Sequence, residues 1–279
     1  MGLIPTNIIN ALGTDMYLQI VVFAIFTGVV MNNIRGNTSK VKELNQEMAH
    51  IVFKMIEWIV RLAPLAVFGY MASMVGTTGI DVIISLMKLV VIVISACVLQ
   101  FFFFGVLIAV FGRISPLPFY RKMITTQVMA FSTSSSKATL TTAMRELQDK
   151  MGVSQSSSNF MMPLGACINM DGTAIYLGIC AMFFAQMYGI QLEMVDYLTL
   201  ILTCTLGSIG AAGVPSGSII FMGMVLNSVG IPMEGIAIIL GVDRILDMFR
   251  TTVNITGDSA ITLIVDSSEN ELDKKRYYE

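Results

Sequence analysis

The sequence predicts an all-α membrane protein made of transmembrane helices, two re-entrant helical hairpins, one unwound helix and a polar-faced final helix. Of its 279 residues, 55% are hydrophobic and only 13% are charged, and the mean hydropathy is +0.75. Soluble domains usually have about 25% charged residues, so this composition excludes an ordinary soluble protein. The net charge is −2 and the basic residues do not follow one stripe of the chain, which argues against nucleic-acid binding.

A run of polar residues lies inside an apolar helix near the end of the chain. Its members are Asp243, Asp247, Arg250, Asn254 and Asp258, at spacings of four, three, four and four. These spacings place the five side chains within about 80° of one helix face. Ionisable groups are costly inside a bilayer, and they mark an ion or substrate path by default.

Short apolar arms that meet at small polar residues predict the two hairpins. The first spans about 118–150 and turns at a serine-rich tip, and the second spans about 193–229 and turns at a glycine-rich tip. Arms of about 10 to 12 residues are too short to cross a bilayer, so both hairpins are predicted to be re-entrant. Between them, the apolar segment 160–188 is interrupted at 169–173, where we expect local unwinding around a cavity.

The basic residues orient the predicted spans. Basic segments at 35–42 and 113–122 flank two spans whose connector, 76–81, has neither Lys nor Arg. The positive-inside rule places those basic ends in the cytoplasm. We therefore expect a multi-pass protein of the plasma (inner) membrane, surrounded by the lipid bilayer, with a cytoplasmic C-terminal tail.

The polar face suggests a site for a charged ligand. Arg250 has a planar fork of donors suited to a carboxylate and keeps its charge when buried; alternatively, it pairs with Asp247 or Asp243 within the helix. Asp247 is suited to a ligand ammonium group. Asp258 and Asp171 are either hard oxygen donors for a small cation or hydrogen-bonded buried acids. The four cysteines lie in apolar stretches without metal or redox spacing, and we expect buried thiols.

Four motifs, in this order, carry a resemblance to a known family. They are Ser134–Ser136, Asn169–Thr173, Gly213–Pro215 and Asp243–Asp258. The chain resembles the dicarboxylate/amino acid:cation symporters, the glutamate transporter family, from its first residues to about Val265.

This resemblance implies a division of the chain into three parts. Residues 1–75 correspond to partial scaffold spans, 76–266 to a transport domain with both hairpins, and 267–279 to the cytoplasmic tail. Roughly the first three to four spans of the family are missing. The resemblance also implies a homotrimer.

The resemblance implies roles for individual residues. Arg250 matches the residue that holds the side-chain carboxylate of the substrate, and Asp247 matches the one that binds its amino group. The other implied substrate contacts are Ser134, Ser136, Thr173, Val214, Thr251 and Asn254. One implied sodium site joins the Asp258 carboxylate to the carbonyls of Gly165, Asn169 and Asn254. A second uses the carbonyls of Cys167, Ser208, Ile209 and Ala211 near Met170. A third involves Asn169 and Asp171.

The expected function is sodium-coupled symport of aspartate or glutamate by alternating access, with Na⁺ co-transported and no catalytic residue or organic cofactor. In the family, an aspartate at the position of Asp247 favours amino acids over simple dicarboxylates, and an arginine at the position of Arg250 favours acidic over neutral amino acids. Proton-coupled members often have Asn at the position of Asp258. Two alternatives stay open. One is a non-transporting fragment or half of a split transporter, and the other is an intramembrane aspartyl protease that pairs Asp171 with Asp258.

Overall fold

The computed structural model describes residues 7–13, 17–34, 39–78, 81–211 and 217–279. The chain divides into two compact units, one up to residue 77 and one from residue 78 onward. All regular secondary structure in the described ranges is helical. The prediction of an all-α protein is therefore confirmed.

In the described residues of the first unit, the chain forms three helices, α1 (Ile8–Gly13), α2 (Tyr17–Asn33) and α3 (Ser39–Thr78). α1 packs against α2. Large apolar side chains on α2 and α3 are exposed, among them Phe26, at 68%, and Phe68, at 77%. Exposed apolar surface of this kind is typical of a helix that faces lipid or a partner.

The second unit is built around one long helix. Its helices are α4 (Asp81–Val110), α5 (Pro116–Lys122), α6 (Ile124–Thr133), α7 (Ser136–Arg145), α8 (Gln155–Ile168), α9 (Asp171–Met187), α10 (Met194–Gly210), α11 (Ser218–Ser228), α12 (Ile236–Ser268) and α13 (Lys274–Tyr278), with a π-helical turn at Glu146–Lys150 and a 3₁₀ turn at Met233–Gly235. α12 packs against α4, α6, α7, α8 and α9. The polar-faced helix is thus the centre of the unit.

Two helical stretches in the described residues are long and apolar enough to cross a bilayer. They are Ile83–Val110, with a mean hydropathy of 2.7, and Gln155–Met187, with a mean hydropathy of 1.4. Only 28% of the most apolar window of the first stretch is buried inside the protein, and outward residues such as Leu99 and Phe102 are exposed. These features agree with the membrane assignment made from composition.

The first predicted hairpin is formed by α6 and α7, which pack against each other. Ser134 ends α6 in the left-handed conformation, with φ at 52°, and its N–H donates to the Ala130 carbonyl over 2.9 Å. The Ser135 side chain then accepts a hydrogen bond from the Ala138 N–H and caps α7. Serine suits position 135 because its short side chain can accept a hydrogen bond from a backbone N–H group at the start of a helix.

The second predicted hairpin is formed by α10 and α11, which also pack together. α10 continues to Gly210 and is 17 residues long, so it is longer than the 10 to 12 residues predicted for each arm. Both glycines in its last turn allow α11 to approach, since a Cβ at Gly207 would lie 3.3 Å from the Phe221 Cβ, and one at Gly210 would meet the Phe221 ring. The glycines therefore allow close packing of α10 against α11.

The predicted unwinding at 169–173 is narrower in the structure. Only Asn169 and Met170 are non-helical, between the end of α8 and the start of α9. The helix resumes early because the side-chain oxygen of Asn254 accepts a hydrogen bond from the Gly172 N–H over 2.8 Å. This bond satisfies one of the N–H groups that a new helix leaves without a partner.

Candidate functional site

The polar face of α12 points into the protein. Asp243, Asp247, Arg250, Asn254 and Asp258 are between 1% and 6% exposed. Their shared orientation follows from the spacing seen in the sequence. Burying so many polar groups is unfavourable unless each finds a partner, and those partners define the site.

The Arg250 guanidinium is held on three sides. Its Nη1 donates to Asp243 Oδ1 over 3.0 Å, and its Nη2 donates to Asp247 Oδ1 over 2.8 Å. Its central carbon lies 3.9 Å from the centre of the Tyr176 ring. The pairing within the helix, one of the two alternatives for Arg250, is therefore present.

These pairs do not use all the hydrogen-bonding capacity of Arg250. The guanidinium has five N–H donors, and its Nε has no hydrogen-bond partner in the described part of the chain. The two aspartates therefore orient the guanidinium and leave donors for a further acceptor. Asp243 and Asp247 together outweigh Arg250 by one formal negative charge.

Asn254 connects α12 to the break between α8 and α9. Besides accepting from Gly172, its Nδ2 lies 3.3 Å from both the Met170 sulfur and the Thr173 hydroxyl. Gly172 also touches the α12 backbone closely, since a Cβ there would lie 2.6 Å from the Arg250 carbonyl oxygen. The break is thus locked against the middle of the polar face.

A small cavity joins the two hairpins to the broken helix and α12. It is lined by Ser136, Met170, Thr173, Ala211, Ser218, Asp247, Thr251 and Asn254. Five of the predicted substrate residues therefore meet here: Ser136, Thr173, Asp247, Thr251 and Asn254. Arg250 is ion-paired to one of them, Ser134 is buried at the first tip, and Val214 lies outside the described residues.

The cavity is small in this arrangement. It leaves about 10 Å³ for water, which is about the space that a single water molecule needs. An amino acid is much larger than this. Entry of such a ligand would therefore require at least one wall of the cavity to move.

Three serine hydroxyls at the site are buried and, within the described part of the chain, unpaired. They belong to Ser134, Ser136 and Ser218. A buried polar group without a hydrogen bond costs about 1 to 3 kcal/mol, so each invites an explanation such as a polar ligand. Ser218 was not among the predicted residues. Its position in the sequence could have indicated this role, because Ser218 directly follows the glycine-rich tip of the second hairpin, just as serines form the tip of the first hairpin.

The structure brings together part of the first predicted sodium site. The Asn169 side chain donates to Asp258 Oδ1 over 3.0 Å, and Gly165 lies so close that a Cβ there would be 2.7 Å from the same oxygen. Asp258 Oδ2 is buried with no hydrogen-bond partner among the described residues. Asn254 lies on the same face of α12, one turn before Asp258.

Asp171 has a partner that the sequence did not reveal. Its Oδ2 accepts a hydrogen bond from Gln100 of α4 over 3.2 Å. Asn169, the other residue of the third predicted sodium site, is bonded instead to Asp258. The described residues contain no group of three or more His, Cys, Asp or Glu side chains that could hold a metal ion. A cation here would therefore depend on backbone carbonyls as well as carboxylates.

The second predicted sodium site lies at the ends of α8 and α10, two helices that contact each other. Cys167 is in the last turn of α8, and Ser208 and Ile209 are in the last turn of α10, followed by Ala211. The last carbonyls of a helix lack partners within it and carry partial negative charge. Cys167 is exposed, so the prediction that all four cysteines are buried is wrong at that position, near the open end of α8.

A helical membrane fold with a buried, ion-paired arginine between two hairpins and a broken helix is typical of a transport protein. Residues 1–268 match the sequence pattern of the sodium:dicarboxylate symporter family. The chain belongs to this family. Its members are transporters, so the aspartyl protease alternative is wrong. In agreement with this, Asp171 and Asp258 bond to different amides and form no carboxylate pair.

Relatives of this chain have names that differ in substrate and in coupling ion. It is 34% identical to C4-dicarboxylate transport protein 1 of Pseudomonas paraeruginosa, across 99% of this chain and 62% of that protein. It is 32% identical to the proton/glutamate-aspartate symporter of Escherichia coli, across 99% and 63%. It is also 32% identical to the proton/sodium-glutamate symport protein of Bacillus caldotenax, across 99% and 65%. The chain thus spans somewhat under two thirds of the length of these relatives.

Proposed function

We propose that this chain carries the substrate site of a sodium-coupled symporter for aspartate or glutamate that works by alternating access. The observation that supports this most is the position of Arg250, which is fixed by two carboxylates and a ring and still has free donor capacity. A buried guanidinium of this kind is suited to a carboxylate.

The aspartate beside Arg250 argues for an amino acid. Asp247 lines the cavity next to Thr251 and Asn254, and a ligand ammonium group there would meet an opposite charge. A plain C4-dicarboxylate would instead bring a second carboxylate toward Asp247, and like charges in an interface cost several kcal/mol. We therefore favour aspartate or glutamate over the dicarboxylates that appear in the names of some relatives.

The charge of the site argues for coupling to a cation. Asp243 and Asp247 exceed Arg250 by one negative charge, and an acidic amino acid adds another. Buried net charge is strongly unfavourable, so a cation that enters with the substrate offsets it. Among the relatives, one is named for protons alone and another for protons and sodium together.

We propose sodium because the oxygens around the break suit it. Unwound backbone carbonyls and helix C-termini are typical Na⁺ ligands in transporters. The Asp258 carboxylate lies beside Gly165 and Asn169, and the ends of α8 and α10 supply further carbonyls. We assign the three sodium sites to these groups as the resemblance implies, with Asp171 in the third.

The small size of the cavity supports alternating access. Ser136 of the first hairpin and Ser218 of the second both line it, so withdrawal of either tip would open the cavity from a different direction. We propose that both hairpins are re-entrant, with the second as the outer gate, that the C-terminal tail is cytoplasmic, and that the protein acts in the plasma membrane as a homotrimer. Gating by loops or hairpins is a common way to open and close such sites.

Uptake into proteoliposomes tests the proposal. The purified chain should accumulate labelled aspartate when sodium is high outside, and it should fail to do so when choline replaces sodium. Arg250→Ala should abolish uptake of aspartate, while Lys40→Gln, on the exposed start of α3, should not change it. Uptake that is independent of sodium, or unaffected in Arg250→Ala, would contradict the proposal.

A second candidate is a non-transporting fragment or half of a split transporter. This candidate is favoured by the fact that the chain spans only 62% of the length of C4-dicarboxylate transport protein 1 of Pseudomonas paraeruginosa. Under this reading the folded chain would bind aspartate in the presence of sodium but would not accumulate it. Binding measured by isothermal titration calorimetry on the same preparation separates the two candidates.

A further inference from the structure

Two helices begin with a serine at the small cavity, one in each hairpin. Ser136 is the first residue of α7, and Ser218 is the first residue of α11. Both serines line the cavity, and they are only 1% and 3% exposed. Neither hydroxyl group has a hydrogen-bond partner among the described residues. The second hairpin thus presents the same kind of buried donor as the first, whereas the resemblance implies only Val214 as its substrate contact.

The Ser218 hydroxyl is not used by its own helix. Serine at the start of a helix commonly accepts a hydrogen bond from a backbone N–H group of the first turn, as Ser135 does for α7. In α11 the residue before the helix is Gly217, and within the described residues no side chain caps the first turn. A buried hydroxyl without a partner is unfavourable, and a polar ligand in the cavity would remove that cost.

The charges around the cavity indicate which part of a ligand meets Ser218. The first N–H groups of a helix lack partners within it and carry partial positive charge, so the start of a helix favours an anionic group. α7 and α11, which are 10 and 11 residues long, both start at the cavity. Asp247, on the same cavity wall, carries the opposite charge and attracts an ammonium group instead. The helix starts are therefore suited to a carboxylate of the ligand.

We propose that Ser218 is a further substrate-binding residue, whose hydroxyl donates a hydrogen bond to a carboxylate oxygen of the acidic substrate. This inference rests on the proposed function, because it takes the ligand of the cavity to be an acidic amino acid. Ser136 donates from the first hairpin and Ser218 from the second, so the bound substrate joins the two hairpins. A hydrogen bond to an ionised acceptor is roughly twice as strong as one to a neutral acceptor, so Ser218 favours a carboxylate over the corresponding amide.

Isothermal titration calorimetry of the full chain in sodium buffer tests the role of Ser218. Ser218→Ala should weaken aspartate binding about tenfold, which is typical of losing a hydrogen bond to a charged group. Succinate, measured by competition, should weaken by a similar factor because it keeps both carboxylates and lacks the ammonium group. The matched control is Ser228→Ala at the other end of α11, where the hydroxyl donates to the Val225 carbonyl over 2.7 Å. This control should leave both affinities unchanged.

Thermal unfolding separates a binding role from a structural one. Because the Ser218 hydroxyl has no partner among the described residues, ligand-free Ser218→Ala should unfold at the Tm of the wild type or above it. Aspartate should then raise the Tm of the variant less than that of the wild type, since a weaker ligand stabilises less. A lower Tm without ligand, combined with unchanged aspartate binding, would show a structural role and overturn the inference.

Two further outcomes separate this inference from the proposed function. If Ser218→Ala binds aspartate as the wild type does, or loses affinity for aspartate and keeps it for succinate, the hydroxyl does not bind a carboxylate and this inference alone is overturned. If the wild-type chain binds no aspartate in sodium buffer, the proposed function is overturned, and the inference falls with it.

Discussion

The guanidinium of Arg250 lies 3.9 Å from the centre of the Tyr176 ring. The ring comes from α9 and the arginine from α12, so this contact fixes the position of the charged group from a second helix. A cation against a buried aromatic face gains about 2 kcal/mol or more when desolvated. Tyr176 therefore supports the direction in which Arg250 presents its remaining donors.

Replacing Tyr176 by leucine should weaken aspartate binding about tenfold, because the guanidinium loses the ring that holds it. Tyr176→Phe keeps the ring and should retain most of the affinity. Isothermal titration calorimetry in sodium buffer measures both. Equal losses in the two variants would show that the hydroxyl, and not the ring, is what Arg250 needs.

Asp247→Asn should change substrate preference. Removal of one partner of a buried charge pair costs about 2 to 5 kcal/mol, so aspartate binding should fall steeply, whereas succinate, which lacks the ammonium group, should bind at least as well as before. Competition of both ligands against labelled aspartate measures the change. Asp243→Asn is the matched control because Asp243 also pairs with Arg250 but does not line the cavity, and it should weaken both ligands alike.

Gly172→Ala should destabilise the protein. The added Cβ would lie 2.6 Å from the Arg250 carbonyl oxygen and 2.9 Å from its Cα, and forcing a methyl group into such packing costs about 1 to 3 kcal/mol. Gly178→Ala on the same helix is the control, since its Cβ would meet only the Cys204 sulfur at 3.9 Å. Thermal unfolding in detergent should show a lower Tm for Gly172→Ala alone.

Asp258→Asn should reduce the sodium dependence of aspartate binding. The variant keeps a side-chain oxygen but loses the negative charge, so half-saturation should require at least tenfold more sodium, a loss of about 1.4 kcal/mol. Titration of aspartate binding with sodium chloride at constant ionic strength measures this. Glu269→Gln removes an exposed charge at the end of α12 and should leave the curve unchanged, and an unchanged curve in Asp258→Asn would argue against a sodium role.

Glu146 should make the base of the first hairpin sensitive to acid. Burial raises the pKa of this carboxyl group, but hydrogen bonds from Lys150 and Thr126 outweigh that effect and hold the pKa below its ordinary value. Because the folded pKa is lowered, the carboxylate stabilises the fold above the unfolded pKa of about 4.3, and this contribution is lost as the pH falls through the folded value.

Hydrogen exchange of α6 and α7 at neutral and acidic pH measures this effect. Protection of the wild type should fall in acid. Glu146→Gln should be less protected at neutral pH and should change less on acidification. A variant that keeps the full acid response of the wild type would show that another group is responsible.

Local patterns were sufficient to predict several features of this molecule. The spacing from Asp243 to Asp258 determines a common face because helix periodicity is a property of consecutive residues. The serines at 134–136 likewise predict the first tip, since serine commonly caps a helix through backbone groups close by in sequence, and the Ser135 side chain does so at the start of α7. Those features needed no knowledge of neighbouring helices.

Other features depend on contacts between distant residues. The break at Asn169 was expected, but its short length depends on the hydrogen bond from Gly172 to Asn254. The contact of Asp171 with Gln100, and the place of Ser218 in the cavity, join segments far apart in the chain. No periodicity within either segment reports such a pairing.

By itself, the sequence determined that this is a helical membrane protein whose final helix gathers its charges on one face. Hydropathy and helical periodicity are properties of residues close together in the sequence, so they can be calculated without knowing the fold. Only the tertiary structure decided that Arg250 pairs with both Asp243 and Asp247 and lies over Tyr176. Those partners follow from side-chain rotamers and from how α9 packs on α12, and packing of this kind is set by the whole unit.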